Sequence, residues 1–369
     1  MPFSQIFAQD ASIDVLRRSI CLDQVGHAYL FFGPEGIGKR TTALAFAKAL
    51  NCTDSVARDV GDFCDVCRSC RMIGLGQHPD VRLLTPETTG GKTVIPIDAI
   101  RTKIGESSPH PLPLREDAAL KPLEGRRKVY IIDPANRPGF QEEAGNALLL
   151  LLEEPPPHVL LILISSRPSA VLPTLVSRCQ PLRFHLAPRE AMLRAIAQAG
   201  HVEEDAAAAI AGMAAGRIGW AVSAVAHPEV LAVRAAVFAE IDRVFPAGRP
   251  AALRLAEQLQ QLAAGLAPEP VEEDAKARVS ADRAVRRNLP EVLDLTASWW
   301  RDMLITELQQ PELRINRDYA AMFARHAGRT TTEYLRQGLQ AIMQTKRYIE
   351  RNANIDLALE RMCMTILPR

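Results

Sequence analysis

Gly33-Pro-Glu-Gly36-Ile-Gly38-Lys39-Arg40 has the glycine spacing of a loop that wraps its backbone around phosphate groups, with a lysine placed to reach the outer ones. Magnesium chemistry at such a loop needs Ser or Thr directly after the lysine. Arg40 occupies that place, and Thr41 comes one residue late. Hydrolysis also needs an acidic pair at the end of a second strand, one carboxylate for the metal and one to activate water. Val129-Tyr-Ile-Ile-Asp133 supplies the first carboxylate, but Pro134 stands where the second would be. Loss of a general base alone costs about two to four orders of magnitude in rate. The residues therefore predict a phosphate-binding framework that does not hydrolyse nucleotide. They leave ATP binding itself an open question.

Cys64-x2-Cys67-x2-Cys70, with Cys52 upstream, offers four thiolates within residues 52–70. Four sulfurs close a tetrahedron around Zn²⁺ with no open position, the form of a structural site. An iron–sulfur cluster also uses a Cys-x2-Cys-x2-Cys run, but its x3-Cys-Pro continuation is replaced here by Arg71-Met-Ile-Gly74, so zinc is the preferred reading over iron or free thiols. Such a knuckle can protrude between a helix and the next strand without disturbing a sheet. Cys21, Cys179 and Cys363 are isolated and read as small buried hydrophobes.

Leu160-Leu-Ile-Leu-Ile164 runs into Ser165-Ser166, and polar residues at the carboxyl end of a strand overhang the ligand crevice of an open α/β sheet. Ser165 or Ser166 is thus a candidate sensor of a terminal phosphate. Arg178, in Ser177-Arg178-Cys179, follows a short helical stretch; taken alone, an arginine in that setting reads as a solvated surface residue.

The elements that must position these residues follow an α/β pattern in the first half. Strands are expected at Ala28 to Phe32, Val81 to Leu84, Lys128 to Ile132 and Val159 to Ile164, with helices at Thr41 to Asn51 and Gln141 to Glu154, the latter closed by Pro155-Pro156-Pro157. Past Pro188 the strand signals stop and helical spacing continues to the C-terminus. The expected division is an α/β P-loop domain with parallel sheet over 1–187, a small all-α unit over 188–235 and an all-α domain over 236–369. Pro268 to Asn288, polar and without apolar periodicity, is expected to be a loop or solvated helix.

The chain has 369 residues, 44 basic and 43 acidic side chains, and 47% hydrophobic residues, so no global charge draws it to nucleic acid or an anionic membrane. MPFSQIFAQD lacks the basic and apolar regions of a signal peptide, and the apolar runs are too short to span a bilayer. A soluble, cytoplasmic protein is expected.

In order along the chain, these features resemble the delta prime family of bacterial clamp-loader subunits, which are AAA+ proteins of the DNA polymerase III holoenzyme. The matching elements are His27-Ala-Tyr-Leu-Phe31 with the phosphate loop, the four cysteines, His78-Pro-Asp80 and Ile97-Asp98-x-Ile100-Arg101. Further matches are Asn146-Ala-Leu-Leu149 with Leu152-Glu-Glu-Pro-Pro156, Ser177-Arg178-Cys179 and, near the end, Asn352-Ala-Asn-Ile-Asp-Leu-Ala-Leu359. The resemblance covers roughly residues 1–185 and weakens through the helical remainder. It implies an arginine finger, Arg178, supplied in trans to ATP on a neighbour, an all-α lid over 188–235 and an all-α C-terminal collar over 236–369 through which five subunits join. It also implies gamma/tau-type motor subunits and a delta subunit as partners, the sliding clamp and primer-template DNA as indirect ones, and no membrane. Leu150 stands where the family carries lysine, and Pro134 is unusual even there. Arg101 faces either a DNA-holding chamber or plain solvent. Trp299 and Trp300 are then collar core or subunit interface, with core packing the default from the sequence alone. A motor-type ATPase and a free-standing zinc DNA-binding protein are the alternatives; Arg40 and Pro134 oppose the first, and the lack of a basic face opposes the second.

Overall fold

A computed structural model describes the chain except residues 1, 90–91, 102–111, 137–138, 141, 228, 267–274, 352 and 369. It divides into two compact units, one of residues 1–195 with 216–220 and one of residues 196–215 with 221–369.

The first unit is built on five parallel strands, β1 (Ala28–Phe32), β2 (Val81–Leu84), β5 (Lys128–Ile132), β6 (Val159–Ser165) and β7 (Gln180–Arg183), in the order β2-β5-β6-β1-β7. A small antiparallel hairpin, β3 (Glu87–Thr89) and β4 (Lys92–Val94), lies outside that sheet. Side chains alternate across a strand, so each strand feeds two cores. Tyr29, Phe31, Val129, Ile131, Leu160 and Ile162 pack on one face with Ile13, Leu16, Ala43 and Phe46 of the helices Asp10–Cys21 and Lys39–Asn51. Leu30, Tyr130, Ile132, Leu161 and Leu163 pack on the other with Ala144, Leu148, Leu151 and Leu152 of the helix Glu142–Glu153. Each aliphatic side chain so buried contributes about 1.5–3 kcal/mol.

The expected strands match β1, β2 and β5, and β6 extends one residue further to Ser165. The expectation missed β7 because only Leu182 of that edge strand is buried and Pro181 interrupts it. It missed the hairpin because its residues, Glu-Thr-Thr and Lys-Thr-Val, carry little apolar signal. The start of the expected helix at Gln141 and the matching residue Asn352 fall outside the described residues.

The second unit is helical. Trp299 and Trp300, on the helix Ala275–Glu307, are fully buried with ring centroids 4.8 Å apart, and Phe245, Phe323 and His326 surround Trp299. The expectation of core packing holds for both tryptophans. Residues 267–274 of the polar stretch lie outside the described residues, and from Ala275 onward it is helix. Asn354 caps the helix Ile355–Ile366 by accepting a hydrogen bond from the Leu357 amide at 3.0 Å.

Candidate functional site

The carboxyl ends of β1, β6 and β5 lie side by side, Phe32 level with Ser165 and Leu163 level with Ile132. The phosphate loop leaves β1, Asp133 follows β5, and Ser165 ends β6, so the three central strands gather three sequence-predicted groups at the carboxyl end of the sheet. Gly33, Gly36 and Gly38 all have positive φ (146°, 73° and 96°), and Gly38 caps the helix Lys39–Asn51. A side chain at Gly33 would lie 2.5 Å from the Phe184 carbonyl, so glycine is required there for space as well as for φ.

Both cations of this loop have partners within the protein. The Lys39 ammonium donates to the Gly33 carbonyl at 2.7 Å and to the Pro34 carbonyl at 2.5 Å. Burial pulls the Lys39 pKa down, against the opposing pull of Asp133 and Glu35. Arg40, exposed on its outer side, donates through Nε to Asp133 Oδ2 at 2.5 Å, so the one carboxylate of the strand pair is bound to the residue that replaced the magnesium ligand. Thr41 faces solvent, and Pro134 brings no acid.

Ser165 is fully buried. Its hydroxyl lies within hydrogen-bond distance of Asn136 Oδ1 (3.2 Å) and the Arg167 carbonyl (2.9 Å), and it accepts from the Arg167 amide at 3.1 Å. The Ser166 amide also points at Asn136 Oδ1, at 3.4 Å. The sensor-like serines thus sit in a network centred on Asn136, three residues past Asp133, which the sequence reading did not single out. A second unforeseen contact lies on the loop itself. The Gly219 amide donates to the Gly36 carbonyl at 2.6 Å, and a Cβ on Gly36 would lie against Arg217 and Trp220, 3.4–3.5 Å away. The signal was the glycine pair in Gly216-Arg-Ile-Gly219, since small residues permit such backbone contact.

The cysteines converge at the far end of the helix Lys39–Asn51, about 20 Å from the loop by helix rise. The sulfurs of Cys52, Cys64, Cys67 and Cys70 all lie within 4.8 Å of one another, and Cys52 and Cys64 are 3.6 Å apart. Four sulfurs at zinc's bond length of about 2.3 Å would be separated by about 3.8 Å, so the group fits a tetrahedral ion, while 3.6 Å is far too long for a disulfide. Cys67 caps the helix Arg68–Gly74, accepting from the Cys70 amide at 3.5 Å, and Cys64 accepts from the Cys67 amide at 3.3 Å. Burial raises the Cys67 pKa, but hydrogen bonds from Thr53 and Cys70 outweigh it and bring the thiol down to about 6, favouring the thiolate a metal needs. Burial pushes Cys52 and Cys70 the other way. The ion pair of Lys48 and Asp65 braces the knuckle against the helix.

Arg178 is not part of the phosphate site. It precedes β7, whose residue Gln180 is level with Tyr29 near the start of β1, whereas the loop departs from Phe32, level with Arg183. Three residues of strand rise put the start of β7 about 10 Å back toward the opposite end of the sheet, and Arg178 lies in the turn just before it. Its guanidinium, 36% exposed, donates to Glu153 Oε1 at 2.7 Å, the Thr174 carbonyl at 3.1 Å and Ser177 Oγ at 3.5 Å. Cys179, next to it, is buried in the same core as Leu151 and Leu152, and burial pushes its thiol up to about 12. Glu153 was not among the expected site residues, although it lies in the matching Leu152-Glu-Glu-Pro-Pro156 run. Arg101 is exposed. Among the described residues no single helix is long and apolar enough to cross a membrane.

Two family models match the chain: "DNA polymerase III, delta subunit" over residues 8–188 and "DNA polymerase III, delta subunit, C terminal" over residues 281–366. The chain is 26% identical over 359 residues to the DNA polymerase III subunit delta' of Bacillus subtilis, covering 97% of this chain and 96% of that one. It is 35% identical over 156 residues to the delta' subunit of Pseudomonas aeruginosa, 42% of each chain. It is 32% identical over 185 residues to the tau subunit of Escherichia coli, half of this chain and 25% of that one.

Proposed function

The chain belongs to the DNA polymerase III delta-subunit family, and from that membership we propose that it serves as a delta prime-type subunit of the replicative clamp loader, without hydrolytic activity of its own. In this reading it assembles with gamma/tau-type motor subunits and a delta subunit, and the assembly loads the sliding clamp onto primer-template DNA in the cytoplasm. The α/β domain, 1–187, carries the phosphate loop and the knuckle; residues 188–235 act as the lid and 236–369 as the collar.

Chemistry in this reading is divided between chains. Arg40 and Pro134 take the place of a metal ligand and a base, and Lys39 is engaged by its own loop, so Gly33, Gly36, Gly38, Lys39, Arg40 and Asp133 keep the shape of a nucleotide site without its reaction. Ser165 and Ser166 keep the position of a phosphate sensor while bonded to Asn136. Arg178 acts in trans, stabilising the charge that develops on a neighbour's transferred phosphoryl group, a contribution of about 10³ to 10⁵ in rate. The observation that carries this reading is the placement of Arg178, partly exposed, before the start of β7, at the sheet end opposite the one from which its own loop departs. Cys52, Cys64, Cys67 and Cys70 hold a structural Zn²⁺, which when bound cross-links the knuckle to the end of the helix Lys39–Asn51.

The likeness to tau over the first half favours a second reading, a motor-type ATPase. The two readings part in one experiment. Arg178→Ala in a complex reconstituted from this chain and its motor and delta partners should leave assembly intact and lower DNA- and clamp-stimulated ATP turnover. Unchanged turnover would sink the trans role, and motor-like ATPase by the isolated chain would favour the second reading.

A further inference from the structure

We propose that Glu153 is the positioning residue of the Arg178 guanidinium, fixing the pose in which it meets a neighbour's phosphate; the inference rests on the trans role given to Arg178 above. A guanidinium has five N–H groups in a planar fork on a long, flexible stem. In this structure Nη1 reaches two acceptors, the Thr174 carbonyl at 3.1 Å and Ser177 Oγ at 3.5 Å, and Nη2 reaches one, Glu153 Oε1 at 2.7 Å. Nε makes no hydrogen bond among the described residues. What remains is the Nε hydrogen and one on Nη2, the number that a bidentate contact with an oxyanion uses.

The Thr174 carbonyl and Ser177 lie on Arg178's own segment, so they restrain it only locally. Among the described residues, Glu153 alone ties it by a hydrogen bond to a separate element. It is the last residue of the helix Glu142–Glu153, whose Leu151 and Leu152 are in the core. That helix is seated tightly on the segment carrying Arg178: a Cβ on Gly145 would lie 2.4 Å from Leu172 Cδ1 and 3.5 Å from Leu175 Cδ1. Glu153 and Arg178 are thus mounted on two elements locked by a glycine contact, with Cys179 and Leu175 buried beneath. The pair itself is half exposed, 36% for the arginine and 48% for the carboxylate, so solvent screens it. It orients the cation without trapping it.

The test uses the reconstituted complex, its DNA- and clamp-stimulated ATPase, and four variants of this chain: R178A, E153A, E153Q and E153A/R178A, each checked for assembly by gel filtration. E153A is expected to lower kcat about three- to tenfold, less than R178A, with KM for ATP unchanged, because a displaced guanidinium weakens the transition state rather than substrate binding. E153Q should recover most of the loss, since its amide oxygen still accepts from Nη2. The double variant should be no slower than R178A, because Glu153 acts only through that arginine. Wild-type turnover by E153A beside a slow R178A would overturn the role of Glu153 and leave that of Arg178 standing. A faster E153A would make the carboxylate a restraint and also overturn the proposal, as would a double variant slower than R178A. An unaffected R178A would remove the reading on which the inference rests.

Discussion

Arg40 and Asp133 face each other beside the phosphate loop, Nε to Oδ2 at 2.5 Å, so a cation stands where the loop would otherwise present a hydroxyl to magnesium. Arg40→Thr should free Asp133 and restore a metal ligand, and magnesium-dependent binding of ATP should tighten measurably by calorimetry. Turnover should remain at background, because Pro134 still supplies no base. Motor-like hydrolysis by R40T would show that the missing acid does not limit the reaction.

Zinc analysis of the purified chain should return about one equivalent per chain and no stoichiometric iron. Because a bound ion would tie Cys52, at the end of the helix, to Cys64, Cys67 and Cys70, Cys64→Ser or strong chelation should lower the Tm by about 5–10 °C. Full stability after complete metal removal would assign the cysteines a different purpose.

Asp80 is buried and accepts three backbone hydrogen bonds, from the amides of Leu123, Glu124 and Gly125 at 2.7–2.8 Å, with Lys128 at 3.8 Å. Burial raises its pKa, but the three amides and Lys128 outweigh it, so the folded value lies below the ordinary one. Asp80→Asn turns an N–H donor toward these amides and should cost about 2–4 kcal/mol at pH 7. The sign follows from the depressed folded pKa. The carboxylate's contribution is complete above the unfolded value near 3.9 and is lost as pH falls through the folded value. Denaturation of both proteins across pH should show the gap narrowing only below about pH 4; a gap that narrows already at pH 6 would point to another group.

In the helical unit, a Cβ on Gly338 would lie 2.7 Å from Trp300 Nε1 and 2.8 Å from its Cδ1. Trp300 is fully buried and has little room to yield. Gly338→Ala should therefore destabilise by about 1–3 kcal/mol despite its higher helix propensity. Thermal melts of the full chain decide it, and a rise in Tm would mean the tryptophan repacks freely.

Strands buried on both faces, such as Val159 to Ile164, were legible because a continuous apolar run bounded by turn residues has few other homes. The phosphate loop was legible because its glycines are a backbone requirement, and Arg40 and Pro134 because they break a rule of the chemistry. What escaped were contacts between segments distant in sequence. Nothing local to Gly219 announces that its amide meets Gly36, and nothing local to Glu153 announces a partner 25 residues on. Asn136 escaped for a related reason: its partners Ser165 and Ser166 lie 29 and 30 residues further on, at the end of another strand.

Cys179 lies in the core while Arg178, one peptide bond away, faces solvent. Interior packing and surface charge are thus joined by a lever one residue long. Trimming the buried sulfur to a methyl would leave a gap in the core on which the arginine's segment rests. Stability and reach cannot be tuned separately at this point, and a substitution that no partner ever touches would be felt first by whatever the arginine meets.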